Sequence, residues 1–275
     1  VLTKMVVDWF AEREIATAMG IFINSWPVGI ALALVVLPPF ADASGLAATW
    51  LAVTVLTGAA LVTFVAGYTP PEALRGKSGQ LRFTALPVWP LFLAAMVWSL
   101  YNVALALVFS FAPVVLLDLG WELAVASTAT SGFMLFFALG IPVGGVVADL
   151  SGRQGAVIAC SLVAFAILLP LVLVLPLASA LATFLVLGFI FGLAGGPIVA
   201  MPAKILQPVD VAFGMGVYYA IYYGVMMAGP PLFGRLAEAF GTSSVVFLAG
   251  AAIMAPNLLA LLLFRRASSG KTGER

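Results

Sequence analysis

Between Arg153 and Lys204 lie fifty consecutive residues without a charge. One helix needs about 20 apolar residues to cross the hydrocarbon core of a bilayer. Fifty are too many for one crossing and suit two. The break is expected at Leu175-Pro176-Leu177-Ala178-Ser179-Ala180, where Pro and Ser favour a turn. The charge-free stretches 15–41, 43–71, 83–117, 123–148, 211–234 and 239–264 each suit a single helix. The chain therefore reads as an all-α membrane protein with eight transmembrane helices, at 15–37, 45–67, 88–114, 123–147, 155–175, 180–203, 211–232 and 243–264. The apolar runs lack the period-2 alternation of barrel strands.

Composition agrees. The chain is 64% hydrophobic and 8% charged, whereas soluble domains carry about 25% charge. Twenty-three charged side chains cannot clothe 275 residues in water. A net charge of +1 without basic clusters speaks against nucleic acid as a partner. Histidine is absent, so His-ligated metals, Ser-His-Asp chemistry and histidine switches are absent too. Cys160 is the sole cysteine and reads as a small buried side chain. No metal or cofactor is expected.

Basic residues orient the spans. If the connections are numbered alternately, one set holds Lys4, Arg13, Arg75, Lys77, Arg82, Arg153, Lys204, Arg265, Arg266, Lys271 and Arg275, and the other only Arg235. The first set, with both termini, is expected in the cytoplasm. The membrane is then a plasma membrane, expected to be a bacterial inner membrane.

The Pro-, Gly- and charge-rich connection TPPEALRGKSGQLRFTA, Thr69 to Ala85, separates two helices from six. Residues 15–22, IATAMGIF, resemble residues 211–218, VAFGMGVY, with Ala16, Met19 and Gly20 matching Ala212, Met215 and Gly216. Pro38-Pro39 and Pro230-Pro231 follow in the two copies. Helix 211–232 is fifth after the connection, so helix 15–37 is expected to be fifth in an earlier half, with four helices upstream. The expected domains are 1–68, the last two helices of an N-terminal half; 69–86, a cytoplasmic linker; 87–266, a six-helix C-terminal half; and 267–275, a tail. Repeated six-helix halves are a transporter architecture.

Residues 145–154, GVVADLSGRQ, resemble the signature loop of the major facilitator superfamily, G-x-x-A-D-x-x-G-R-[RK], through Gly145, Ala148, Asp149, Gly152 and Arg153; Gln154 departs from it. The stretch KMVVDWFAERE is similar to the loop entering the fifth helix of such proteins, and NSWPVGIALALVVLP resembles the cyanate- and nitrate-type branch. The resemblance implies a major-facilitator-type bundle of twelve helices, eight of them in this chain, that carries a small solute by alternating access and acts as a monomer when complete. Coupling to a proton or another ion is left open. It also implies that Asp149 and Arg153 meet Glu12, Arg13 and Glu14 at the start of helix 15–37 when the cytoplasmic face is closed. On the residues alone, Gly145 and Gly152 serve a sharp reversal of direction.

Polar residues within the spans are candidates for lining the solute cavity: Asn24, Trp98, Tyr101, Asn102, Tyr218, Tyr219, Tyr222 and Tyr223. No Asp, Glu, Lys or Arg stands at mid-span depth. Glycines at close-packing spacing in three helices predict close helix seams: Gly140, Gly144 and Gly145; Gly188, Gly192, Gly195 and Gly196; and Gly224, Gly229 and Gly234. A remnant with a scaffolding role is the alternative to a transporter. An intramembrane enzyme is disfavoured, because no His, acid pair or G-x-S-G with His is present.

Overall fold

The computed structural model describes residues 2–10, 14–69 and 86–269, with the backbone alone at residues 30, 31, 34, 35, 38 and 269. The connection predicted at 69–86 lies almost wholly outside the described residues, as do Glu12 and Arg13. Among the described residues the chain is helical and has no strand. In a bilayer this satisfies each backbone N–H and C=O within its own segment. Two compact units form, residues 1–23 with 78–275 and residues 24–77. One boundary between the units falls within a helix, between residues 23 and 24.

In the larger unit, α1 (Leu2–Phe10) occupies a stretch expected to be loop. Lys4 and Asp8 pair one turn apart, and Thr3 and Val7, also one turn apart, are buried. That face packs on α8 (Val211–Phe240). The first nine residues of α2 (Ile15–Gly67) belong to the same unit. α3 (Val88–Asp118) is the hub, buried on most of its faces and packed against α8, α4 (Leu123–Ser151), and the pair α9 (Ser244–Ala252) and α10 (Met254–Ser269). α5 (Gln154–Leu171) and α6 (Leu177–Gly192) complete the bundle.

The glycine seam joins α4 to α6. A Cβ added at Gly140 would sit 3.1 Å from the Gly192 Cα, and one at Gly188 would run into the Phe133 carbonyl. The two backbones touch, which replaces the apolar driving force that lipid removes. Stacked rings fill the space beside the seam, with Phe133 on Phe184 at 4.9 Å and Phe165 on Phe191 at 4.0 Å.

Several helices differ from the predicted spans. α4 continues through Asp149 to Ser151, and α8 runs through Arg235 and Glu238 to Phe240. Charges mark the edge of the hydrocarbon, and a helix can continue through the interface. The predicted helix 180–203 is three pieces: α6, α7 (Gly195–Val199) and a 3-10 turn, Met201–Lys204. Pro197 and Pro202 lack the N–H groups that would continue the ladder. The predicted helix 243–264 is likewise divided at Ile253, near Pro256. Cys160 is exposed on α5 rather than buried.

In the smaller unit α2 does not stop at Pro38-Pro39. It runs on and bends at Gly45, whose φ of 82° suits a residue without Cβ. Beyond the bend Thr49, Thr54, Thr57 and Thr63 each donate to the carbonyl four residues earlier. Such back-bonding leaves no hydroxyl unpaired in an apolar medium.

Seven helices among the described residues are long and apolar enough to cross a membrane, beginning with Pro39–Gly67 and ending with Ser244–Ser268. The predicted span 15–37 has a helical backbone, but several of its side chains lie outside the described residues.

Candidate functional site

The signature segment sits on the end of α4 and the turn into α5. Gly152 adopts φ 63° and ends α4 by donating its N–H to the Asp149 carbonyl. Gly145 does not serve the reversal as expected. It lies inside α4, where a Cβ would stand 2.5 Å from the Ala16 carbonyl oxygen and 2.7 Å from the Thr17 Cα. Its bare backbone lets the start of α2 lie directly on α4. Gly196 does the same from the α7 side, with a Cβ there 2.6 Å from the Ala16 oxygen and 2.9 Å from the Gly20 Cα.

That close approach positions Asp149. Its Oδ1 accepts from the Ala16 N–H at 3.3 Å, and its Oδ2 accepts from both the N–H and the hydroxyl of Thr17 at 2.7 Å. The first N–H groups of a helix have no partners of their own and carry the positive end of its dipole. A carboxylate there serves both needs. Lys204, exposed at the end of the 3-10 turn, lies within electrostatic reach of the same carboxylate.

Of the partners expected for Arg153, only Glu14 is described. Arg153 follows the left-handed Gly152, is exposed, and makes no ion pair with Glu14 among the described residues. Glu14 is itself exposed and has a positive φ of 57°. Both side chains point to solvent, and the tie falls to Asp149 instead. Gln154, the departure from the signature, is buried at the head of α5, and its Nε2 donates to the Pro197 carbonyl. A neutral amide fits a buried site where a basic residue would bring an uncompensated charge.

The cavity candidates divide into three groups. Tyr101 is fully buried and does not line an open cavity. Its hydroxyl donates to the Phe191 carbonyl at 2.9 Å, and its ring stacks on Phe191 at 4.2 Å. Phe191 lies beside the α6–α7 break, so the tyrosine supplies a donor there. Tyr223 is 60% exposed on the outer surface of α8. The remaining candidates of this unit gather along the seam of α3 and α8. Trp98 stacks near Tyr101 and meets Tyr222 with ring centres 5.9 Å apart. Tyr218 and Tyr219 precede Tyr222 on α8, and Tyr219 shares a hydrogen bond of 3.3 Å with Thr3 of α1. Asn102 and Tyr222 are half-buried; Asn102 gives one amide hydrogen to the Trp98 carbonyl. Asn24 belongs to the smaller unit and is half-buried on α2.

Sequence reasoning missed Thr17, whose signal was a hydroxyl in the first turn of a helix that starts beside acids. It also missed Asn257, fully buried on α10. A single Asn in an apolar span was the available signal.

The helices and composition define a multi-pass membrane protein. The last turn of α4 carries an acid bonded to the head of another helix. The chain belongs to the Major Facilitator Superfamily, whose profile matches residues 91–275, and so is a membrane transporter of that superfamily. No curated protein matches the chain.

Proposed function

We propose that this protein carries a small solute across the membrane by alternating access, and that Asp149 and the head of α2 form the contact that closes its cytoplasmic face. The observation that carries this reading is the set of three hydrogen bonds from Ala16 and Thr17 to Asp149. They join residues 132 and 133 positions apart through one carboxylate at the edge of the membrane. Hydrogen bonds to a charged group contribute about 1.5–3 kcal/mol each. That is enough to set the balance between two conformations and small enough to be undone by a solute. The eleven-to-one division of Lys and Arg supports eight crossings with this contact and both termini on the cytoplasmic side of a plasma membrane.

On this reading the solute cavity is bordered by Trp98, Asn102, Tyr218, Tyr219 and Tyr222. Tyr101 stiffens the wall from behind. The gate is tested with spin labels on the exposed positions Glu14 and Arg153, introduced as cysteines in a Cys160→Ala background. The expected result in lipid nanodiscs is two populated distances, with Asp149→Asn moving population to the longer one. A single distance, the same in both proteins, defeats the reading.

A further inference from the structure

We propose that the solute received at the seam of α3 and α8 is a small uncharged molecule that offers hydrogen-bond acceptors, taken by the indole N–H of Trp98 and the hydroxyl of Tyr218. This rests on the transport reading above. Two side-chain groups at this seam are buried without a partner among the described residues, Trp98 Nε1 and the Tyr218 hydroxyl. Trp98 is 9% exposed and Tyr218 0%. An indole N–H is a donor only, and a phenol O–H donates readily. Burying such donors unpaired is unfavourable, so a site that holds them is completed by a guest that accepts.

Both donors belong to neighbours of Tyr222. Trp98 lies against Tyr222, and Tyr218 stands one turn before Tyr222 on the same helix. Asn102, one turn after Trp98, and Tyr222 are half-buried. The charge of the guest follows from what these helices lack. Neither residues 88–117 of α3 nor residues 211–234 of α8 include an Asp, Glu, Lys or Arg. An anion would be desolvated there without a counter-charge. A cation would find ring faces, but the fixed indole hydrogen would oppose it. A neutral carbonyl or similar acceptor meets the donors without either difficulty.

The test is spectroscopic. The indole N–H Raman band of Trp98 is isolated as the difference between wild type and Trp98→Phe in nanodiscs. It is followed during titration with N,N-dimethylacetamide, acetate and tetramethylammonium. N,N-dimethylacetamide is expected to shift the band saturably, and Tyr218→Phe to raise its half-saturating concentration about tenfold, the equivalent of one hydrogen bond. Without probe Tyr218→Phe should melt at or above the wild type, since it removes an unpaired buried hydroxyl, which separates lost binding from lost folding. A shift by acetate or tetramethylammonium at lower concentration overturns the assignment of charge and donor role. No shift by any probe overturns the inference as a whole. If the Glu14–Arg153 label distances still respond to Asp149→Asn in that case, the transport reading stands and only the ligand class falls. If they do not respond, both fall.

Discussion

Asp149 Oδ2 accepts two hydrogen bonds from one residue, the backbone N–H and the hydroxyl of Thr17, each at 2.7 Å. A carboxylate held this way is fixed in orientation as well as position, because the two donors approach one oxygen from different directions. The same residue pair joins the last turn of α4 to the first turn of α2.

Removing the two partners should therefore have graded effects. Asp149→Asn keeps one carbonyl acceptor and loses the charge, a change of roughly 2 kcal/mol, or about thirtyfold in the balance of closed to open forms. Thr17→Val keeps the backbone N–H and loses one of the three donors to the carboxylate, about 1.5 kcal/mol or roughly tenfold. Label distances between positions 14 and 153 read both. An effect of Thr17→Val equal to that of Asp149→Asn would show that the charge on Asp149 contributes nothing.

Neighbouring glycines should separate gate from fold. Gly145 faces the head of α2, whereas Gly144 faces the Leu193 carbonyl at the end of α6. Overpacking costs about 1–3 kcal/mol at either position. Gly144→Ala should lower the melting temperature. Gly145→Ala should leave melting near wild type and shift the label distances to the open population. Equal melting losses in both variants would place the two contacts in one cooperative unit.

The long helices and their close seams were legible from charge spacing and from glycines at intervals of four, because lipid leaves so few ways to satisfy a backbone. The role of Asp149 was legible in part. The resemblance brought it to the head of α2; of the acids expected to meet Arg153 there, Glu14 makes no ion pair with it and Glu12 lies outside the described residues. Spacing could not distinguish Gly145 as a contact from Gly145 as a hinge, since both need a missing Cβ. Tyr101 and Asn102 looked alike as adjacent polar residues in mid-helix. Only the α6–α7 break, which gives Tyr101 a carbonyl to bond, sets them apart. The subdivision of α9 and α10 rests on one proline, and a proline within a span does not announce whether the helix bends or continues.

Two tyrosines of similar appearance in the sequence should respond differently to loss of the hydroxyl. Tyr101→Phe removes one of two donors to the Phe191 carbonyl, which keeps the Ala194 N–H at 3.2 Å, and should destabilise by about 0.5–1.5 kcal/mol. Tyr223 is exposed, and Tyr223→Phe should lie within about 0.5 kcal/mol of wild type. Thermal unfolding in detergent checks both. Equal melting temperatures for the two variants would remove the structural role given to Tyr101.

Asn257 leads to a prediction of the opposite sign. It is 0% exposed, and neither its Nδ2 nor its Oδ1 has a partner among the described residues. It lies on α10 just after the break at Ile253, on a helix packed against α3 and α5. Leu has nearly the same shape without the polar atoms. In this conformation Asn257→Leu removes two desolvated groups and should stabilise by about 1–3 kcal/mol. For a chain of this size each kcal/mol raises the melting temperature by about 2–4 °C. A residue that weakens one conformation and is tolerated there gains its partners in another. Asn257→Leu should then also shift the label distances between positions 14 and 153 toward the short population, because the stabilised form is the one in which Asp149 holds Thr17. A higher melting temperature with an unchanged distance distribution would confine Asn257 to packing. A lower melting temperature would mean that the amide is already partnered in the membrane, and the prediction would fail.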